Sequence, residues 1–181
     1  MAEPMRLFYD SIATPIGTSI IVCDDQGSLR LHYWDDEDAW KSELARRYGN
    51  PVLERKRDPF GSSGKLRDYF AGDIAVIDTL AVTFTGTPFQ NKVWKALRKI
   101  PGGTTLSYGA LAKKIGEPKA VRAVGLANGS NPVGVIVPCH RVIGSNGALT
   151  GYGGGLPRKR WLLEHEARHA GTGLFAKEAA R

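Results

Sequence analysis

The first half of the chain alternates between apolar and polar positions. "RLFYDSIA" (6–13), "TSIIVC" (18–23) and "SLRLHYW" (28–34) are runs of this kind, separated by the turn segments "TPIG" and "DDQG". A period of two predicts three short antiparallel strands in a meander. The period then lengthens. "EDAWKSELARRY" (37–48) reads as a helix with acids early and arginines late, as the helix dipole favours. "PFGSSGKLRDYFAGD" (59–73) predicts a second helix closed by Gly72, and "IAVIDTLAVTFTG" (74–86) a return to strand. On this pattern Cys23 ends a strand as a buried structural thiol, and His32 alternates to the solvent side. Nothing in this half converges on chemistry, so it reads as a scaffold that faces away from any partner and supports the rest.

The second half follows a helical period. "TPFQNKVWKALRKIP" (87–101) brings Phe89, Val93, Trp94, Leu97 and Ile100 to one face, and Pro101 with two glycines stops it. In "SYGALAKKIGEPKAVRAVGLANGSN" (107–131) Ser107 caps a short helix and Gly116 breaks it. Pro118 then opens a second helix that ends near Gly129. Helix, turn, helix is a pattern shared by DNA-binding units and by many plain bundles. The second helix carries the tiny residues Ala120, Ala123, Gly125 and Ala127, with Arg122 as the long cation set among them. Such a helix can approach a surface closely, a DNA groove included. Beyond it, "PVGVIVP" (132–138) predicts a buried extended segment that delivers Cys139 at its end.

Composition and charge narrow the partner. The chain has 181 residues, 42% of them hydrophobic, which suffices for a packed core without staples. Its two cysteines form no disulfide framework and no CxxC or Cys/His cluster, so free thiols rather than a zinc ribbon are expected, and no cofactor is called for. No segment has the make-up of a secretory leader or a membrane span, and a cytoplasmic protein without membrane contacts is expected. Of the net +7, residues 1–85 contribute −4 (ten Lys and Arg against fourteen Asp and Glu), and residues 86–181 contribute +11 (fifteen against four). Segregation this strong favours a polyanionic partner for the second half, nucleic acid first.

"VIVPCHRVIG" (135–144) holds the candidate chemistry. A free cysteine is only a few per cent thiolate at neutral pH and needs a base or a positive field to become a nucleophile. His140 is the available base, although side chains adjacent in extended chain point to opposite faces, so a bridging water is needed. A histidine that takes a proton also needs its other nitrogen held. Glu117, Glu164, Glu166 and Glu178 are the only acids in this half. Taken alone, "PCHR" fits a reactive thiol and an inert buried cysteine about equally.

The stretch "FQNKVWKALRKIPGGTTLSYGALAKKIGEPKAVRAVG" followed by "NPVGVIVPCHRVIGSNGALTGYGGGLPRKRWLLEHE" closely resembles the O6-alkylguanine-DNA alkyltransferase family, especially its bacterial members. The likeness runs almost continuously over residues 88–166, and more loosely over 6–85. It implies an α+β fold. A small N-terminal ribonuclease-H-like α/β domain with antiparallel strands (1–85) would precede a mostly helical C-terminal domain containing a helix-turn-helix (86–170), with residues 171–181 as a flexible tail. It implies direct reversal of DNA damage, in which the alkyl group of O6-alkylguanine, and of O4-alkylthymine, passes irreversibly to the protein's own cysteine. The partner would be double-stranded DNA carrying O6-alkylguanine, met by a monomer that can bind cooperatively.

The resemblance also implies roles for residues. Cys139 would be the acceptor, His140 would take its proton through water, Glu166 would orient His140, and Asn131 would brace the turn. Tyr108 would meet guanine N3, while Val142 and Cys139 would offer carbonyls to the exocyclic amine. Arg122 would fill the gap left by a flipped nucleotide, with Ala120, Ala123 and Gly125 in the minor groove. Ser145, Tyr152 and Gly153 would contact the substrate. His165 and His169 are expected to be exposed, and Arg141 to tie the active-site segment to its neighbours. Flipping is required physically, because O6 of a stacked, paired guanine cannot reach a buried thiol.

Three departures matter, one being that the zinc of some relatives needs more Cys and His than Cys23 and His32 supply, so no metal is expected. Gly134 and Gly153 stand where some relatives carry proline and a hydroxyl side chain, so the Gly153 amide alone is left to meet O6. These glycines, with Gly154 and Gly155, predict a roomier pocket that takes groups larger than methyl. Two rivals from other classes are a DNA-binding module with an inert Cys139 and a thiol hydrolase using Cys139 and His140. The first is disfavoured by the presence of the cysteine, the second by the charge segregation and the lack of an oxyanion-hole signature.

Overall fold

A computed structural model describes residues 3–35 and 37–171. The tail expected at 171–181 lies outside the described residues except for Gly171. The three predicted strands form as β1 (Arg6–Thr14), β2 (Gly17–Asp24) and β3 (Leu29–Trp34), paired antiparallel in sequence order. A fourth strand that the alternation did not predict, β4 (Val52–Arg55), adds in parallel to β1, giving the order β3-β2-β1-β4. Its four residues "VLER" are short and half charged, so no period of two can be read from them. The sheet is mixed, and the fold is α+β.

Both faces of the sheet are covered. Leu7, Ile20, Val22 and Leu31 meet Trp40 and Leu44 of helix α1 (Glu37–Tyr48). The alternate positions Phe8, Ile12, Ile21 and Cys23 join a larger cluster that takes in Leu66 and Tyr69 of α2 (Ser62–Ala71) and most buried residues of the second half. A register shift between Val22 and Cys23 sets Leu29 opposite Cys23, so Leu29 packs in the larger cluster while Leu31 packs in the smaller. Because neither face is left to solvent, His32 is buried rather than exposed, which corrects the expectation from alternation.

Residues 74–86 do not return to strand. They make a 3-10 turn (Val76–Thr79) and an irregular strap that touches β3 at one bridge, Leu29 with Val82. Arg98 explains why: its Nη2 donates to the carbonyl oxygens of Ile77, Asp78 and Leu80 at 3.3, 3.2 and 2.9 Å, binding groups that a strand partner would otherwise take.

In the second half, α3 (Pro88–Leu97) starts at Thr87 with a reciprocal capping box to Gln90. The strand β5 (Leu106–Ser107) leads into α4 (Tyr108–Lys114), which Ser107 caps by accepting from the Ala110 amide at 3.0 Å. Helix α5 (Val121–Gly129) begins later than expected, because Pro118 lies in a turn closed by the Ala120 amide on the Glu117 carbonyl at 2.9 Å. Trp94 Nε1 donates to the Ala127 carbonyl at 2.8 Å and locks α3 to α5. A short strand β6 (Val142–Ile143) pairs in parallel with β5, and α6 (Leu156–Ala170) closes the described chain.

Candidate active site

The segment before Cys139 is a buried turn, not an extended strand. Asn131 organises it. Its Oδ1 accepts from the Val133 amide at 3.0 Å, and its Nδ2 donates to the Val137 carbonyl at 2.8 Å. The Val137 amide donates to the Val133 carbonyl at 2.9 Å, and Val135 is held at φ 69°, a left-handed conformation that costs a β-branched residue energy. A run of Val and Ile carries no period by itself, so these polar bonds decide its shape. The turn ends in a 3-10 segment, Cys139–Arg141. Successive side chains there project about 120° apart rather than to opposite faces, which removes the geometric objection to a Cys139–His140 pair.

Behind the thiol lies a buried polar network. His140 Nε2 and Glu166 Oε1 are 2.7 Å apart. Arg141 Nε donates to Glu166 Oε2 at 2.8 Å, and Arg141 Nη2 donates to Oε1 at 2.8 Å. Arg141 Nη1 reaches the Ile100 carbonyl at 2.6 Å, so this arginine ties the active-site turn to the end of α3 and to α6, as expected of it. His140 Nδ1 is buried and has no hydrogen-bond partner among the described residues, leaving it the ring nitrogen able to take a proton.

The electrostatics fit a resting acid and a waiting base. Burial pushes the Cys139 thiol up, against weaker opposing pulls from Asn131 and Lys159. Burial also lowers the His140 imidazole, partly offset by Glu166, so the ring is neutral. Burial works to raise the Glu166 carboxyl, but His140 and Arg141 outweigh it and hold the group well below the usual carboxylate range.

Cys139 opens onto a cavity of about 430 Å³ whose wall includes Asn128, Asn131, Gly134, Tyr152, Gly153 and Gly154. The first half supplies the opposite wall through His32, Tyr33 and Trp34 of β3. His32 Nε2 lies 2.6 Å from Ser19 Oγ, its amide donates to the Pro132 carbonyl at 2.9 Å, and burial lowers its pKa to about 3. The edge of the sheet thus holds the active-site turn directly. Arg158 provides a second tie. It donates to the Ile16 carbonyl at 2.7 Å and the Gly154 carbonyl at 3.1 Å, pairs with Asp35, and lies 4.8 Å over the Trp34 ring.

The remaining predicted positions fall into three places. Tyr108 opens α4 beside Gly125 of α5, and its hydroxyl donates to the Thr150 carbonyl at 3.0 Å. Arg122 and Ala123 are exposed on α5, Ala120 caps its start, and Ala127 is turned into the core. Leu126, one turn after Arg122, is 72% exposed and Val121 is 40% exposed, an apolar edge beside the cation that the small-residue pattern did not single out. Val142 is buried, with its carbonyl accepting from Lys159 Nζ at 2.6 Å. Ser145 is exposed and does not line the cavity.

One further residue escaped the sequence reading, and another was misplaced by it. Lys159 is buried and also donates to the Thr150 carbonyl at 2.9 Å, fixing both ends of the loop after β6. His165 is buried rather than exposed: Nε2 lies 2.7 Å from the Tyr69 carbonyl and its ring stacks on Trp161 at 4.6 Å. A histidine set between Glu164 and Glu166 gives no sign of this. His169 is exposed, as expected. Among the described residues no group of three or more His, Cys, Asp or Glu is placed to hold a metal ion.

Residues 88–168 match the family model described as "6-O-methylguanine DNA methyltransferase, DNA binding domain". The methylated-DNA–protein-cysteine methyltransferase of Salmonella typhimurium is 53% identical over 165 residues, covering 90% of this chain and 96% of the relative. The crystal structure of Mycobacterium tuberculosis O6-methylguanine methyltransferase superposes with a TM-score of 0.74 at 40% identity, over 90% of this chain and 94% of the other. A structure of the mycobacterial protein in complex with DNA gives 0.73 over the same shares. With a buried thiol, a histidine–glutamate pair behind it and this similarity along nearly its whole length, the chain belongs to the methylated-DNA–protein-cysteine methyltransferase family.

Proposed function

We propose that this protein repairs O6-alkylguanine in double-stranded DNA by moving the alkyl group once and irreversibly onto Cys139. O4-alkylthymine is a second substrate. The observation that carries the reading is the single thiol at the wall of the cavity, backed by the His140–Glu166 pair. The thiol proton passes through a water to His140 Nδ1, and Glu166 steadies the imidazolium from the other side. The sulfur attacks the alkyl carbon in line, the carbon–O6 bond breaks, and its electron pair returns to the purine. Tyr108, whose hydroxyl rests on the Thr150 carbonyl, moves to guanine N3 and supplies the proton that neutralises the leaving base. The product is a thioether, which water does not hydrolyse, so one molecule repairs one lesion.

Specificity for the lesion comes from the turn and the loop after it. The Asn131 bonds keep the Cys139 segment rigid, the carbonyls of Cys139 and Val142 receive the exocyclic amine, and the Gly153 amide meets O6. Tyr152 walls the cavity, and the exposed Ser145 contacts the DNA.

DNA is the partner, and α4 with α5 acts as a helix-turn-helix read from the minor groove. The slim side of α5, with Ala123 exposed and Gly125 and the capping Ala120 half-buried, enters the groove, and the exposed Arg122 takes the place of the flipped nucleotide. Residues 86–170 form the DNA-binding and acceptor unit and 1–85 its support, and the protein binds as a monomer. No helix among the described residues is long and apolar enough to cross a membrane. Intact-mass analysis after incubation with duplex carrying O6-methylguanine tests the function. A stoichiometric gain of one methyl on Cys139 is expected. Catalytic turnover, or DNA binding without an adduct, overturns the proposal in favour of a hydrolase or a non-repairing lesion binder.

A further inference from the structure

We propose that Tyr69, contributed by α2 from the sheet-bearing half, is a positioning residue for alkyl transfer: its phenol holds Glu166 Oε1 and limits how strongly that carboxylate draws protons onto His140. The inference rests on the transfer reaction proposed above.

Glu166 Oε1 accepts three hydrogen bonds, from His140 Nε2 at 2.7 Å, Tyr69 Oη at 2.7 Å and Arg141 Nη2 at 2.8 Å. All four residues are buried. Tyr69 cannot drift from this contact, because its ring packs edge-on against Phe70 and His165 and its carbonyl is bound to His165 Nε2. Burial, reinforced by the Glu166 charge, pushes the phenol well above its ordinary range, so it stays a donor at any working pH.

The consequence follows from sharing. A carboxylate oxygen that already satisfies a phenol and a guanidinium has less negative charge to offer an imidazolium, and a low dielectric magnifies the difference. The groups that bear on His140 are Glu166 and Lys159 from α6 and Arg141 from its own turn, and Tyr69 reaches it through Glu166. Removing the phenol O–H therefore makes His140 a stronger base. If Tyr69 served only packing, its loss would either leave His140 unchanged or let Glu166 swing away and make His140 a weaker base.

The test is the pH profile of single-turnover methyl transfer together with an NMR titration of the His140 ring. Tyr69→Phe keeps the ring and its packing. The acid limb and the His140 pKa are expected to move up by on the order of half a unit to one unit. Site-specific replacement of Tyr69 by 3,5-difluorotyrosine, a stronger donor of nearly the same shape, is expected to move both down. On a Glu166→Gln background neither substitution is expected to move them, since the shared charge is gone. No shift, a downward shift in the Phe variant, or an undiminished shift in the Gln background overturns the proposal. The wild-type methyl adduct is measured alongside, so failure of the transfer reaction itself shows separately as loss of that adduct.

Discussion

Cys23 and Cys139 belong to the same hydrophobic cluster, both are free, and burial raises both thiols, Cys23 to about 11. Each half of the molecule also holds a buried histidine whose pKa burial lowers, His32 and His140. Residue type and depth therefore do not separate the inert pair from the reactive one. The neighbours do. Cys23 sits inside a strand, next to Asp24, whose charge raises its thiol further. His32 pairs with a neutral hydroxyl and feels the positive charge of Arg158. Cys139 opens onto a cavity, and His140 has a carboxylate on one nitrogen and a free second nitrogen. A buried thiol becomes a nucleophile through a proton acceptor that can bear the resulting charge, not through a low pKa at rest.

The comparison breaks most visibly by exchanging serine for each cysteine. Cys139→Ser is expected to abolish the methyl adduct seen by intact mass, while Cys23→Ser keeps transfer and loses about 1–3 kcal/mol of stability in denaturant unfolding, from a hydroxyl placed in the core. Methylation at Cys23 would undo the distinction.

The two histidines give a smaller effect, read as stability against pH. His32 has a folded pKa of about 3 against an ordinary value of 6.5. Above pH 6.5 both states leave it neutral and it contributes nothing. As pH falls below 6.5 the unfolded chain binds a proton that the folded chain refuses, so stability drops until about pH 3. At pH 5 the loss is about 2 kcal/mol, and His32→Gln is expected to flatten that part of the unfolding curve. An unchanged slope would mean that the sheet edge accepts the charge.

The third difference, access, carries the smallest effect. Nothing lies within 4 Å of a Cβ built on Gly153, so Gly153→Ser fits and adds a hydroxyl at the cavity wall. The wild type is expected to accept benzyl as readily as methyl, and the serine variant to lower the benzyl-to-methyl rate ratio by about threefold to tenfold. A wild-type protein with a strong preference for methyl would show that these glycines do not set pocket size.

What could be read from the chain follows the same division. Periodic stretches were legible: β1 to β3, α1, α2, α3 and the Ser107 cap all lie close to where alternation, helical spacing and capping put them. Misreadings cluster where a distant polar group decides local shape. Arg98 takes the carbonyls of Ile77, Asp78 and Leu80 and prevents a strand there, and Asn131 folds 132–138 into a turn. His32 and His165 were expected outside because their own elements gave no sign of the second layer that covers them. In the candidate site, "PCHR" displays the thiol and its base side by side, and family resemblance supplied Glu166. Tyr69 and Lys159 were invisible, because a tyrosine 71 residues before its histidine and a lysine within a basic run carry no local signature.

The carboxylate's address on α6 also has a meaning in time. Synthesis proceeds from the N-terminus, so His140 is made 26 residues, and Cys139 27 residues, before Glu166. Until α6 docks, the histidine has no anion to lean on, and the cysteine is chemically an ordinary one, no more eager for stray electrophiles than its neighbour in the sheet. The last helix among the described residues is the safety catch on a nucleophile that can be used only once.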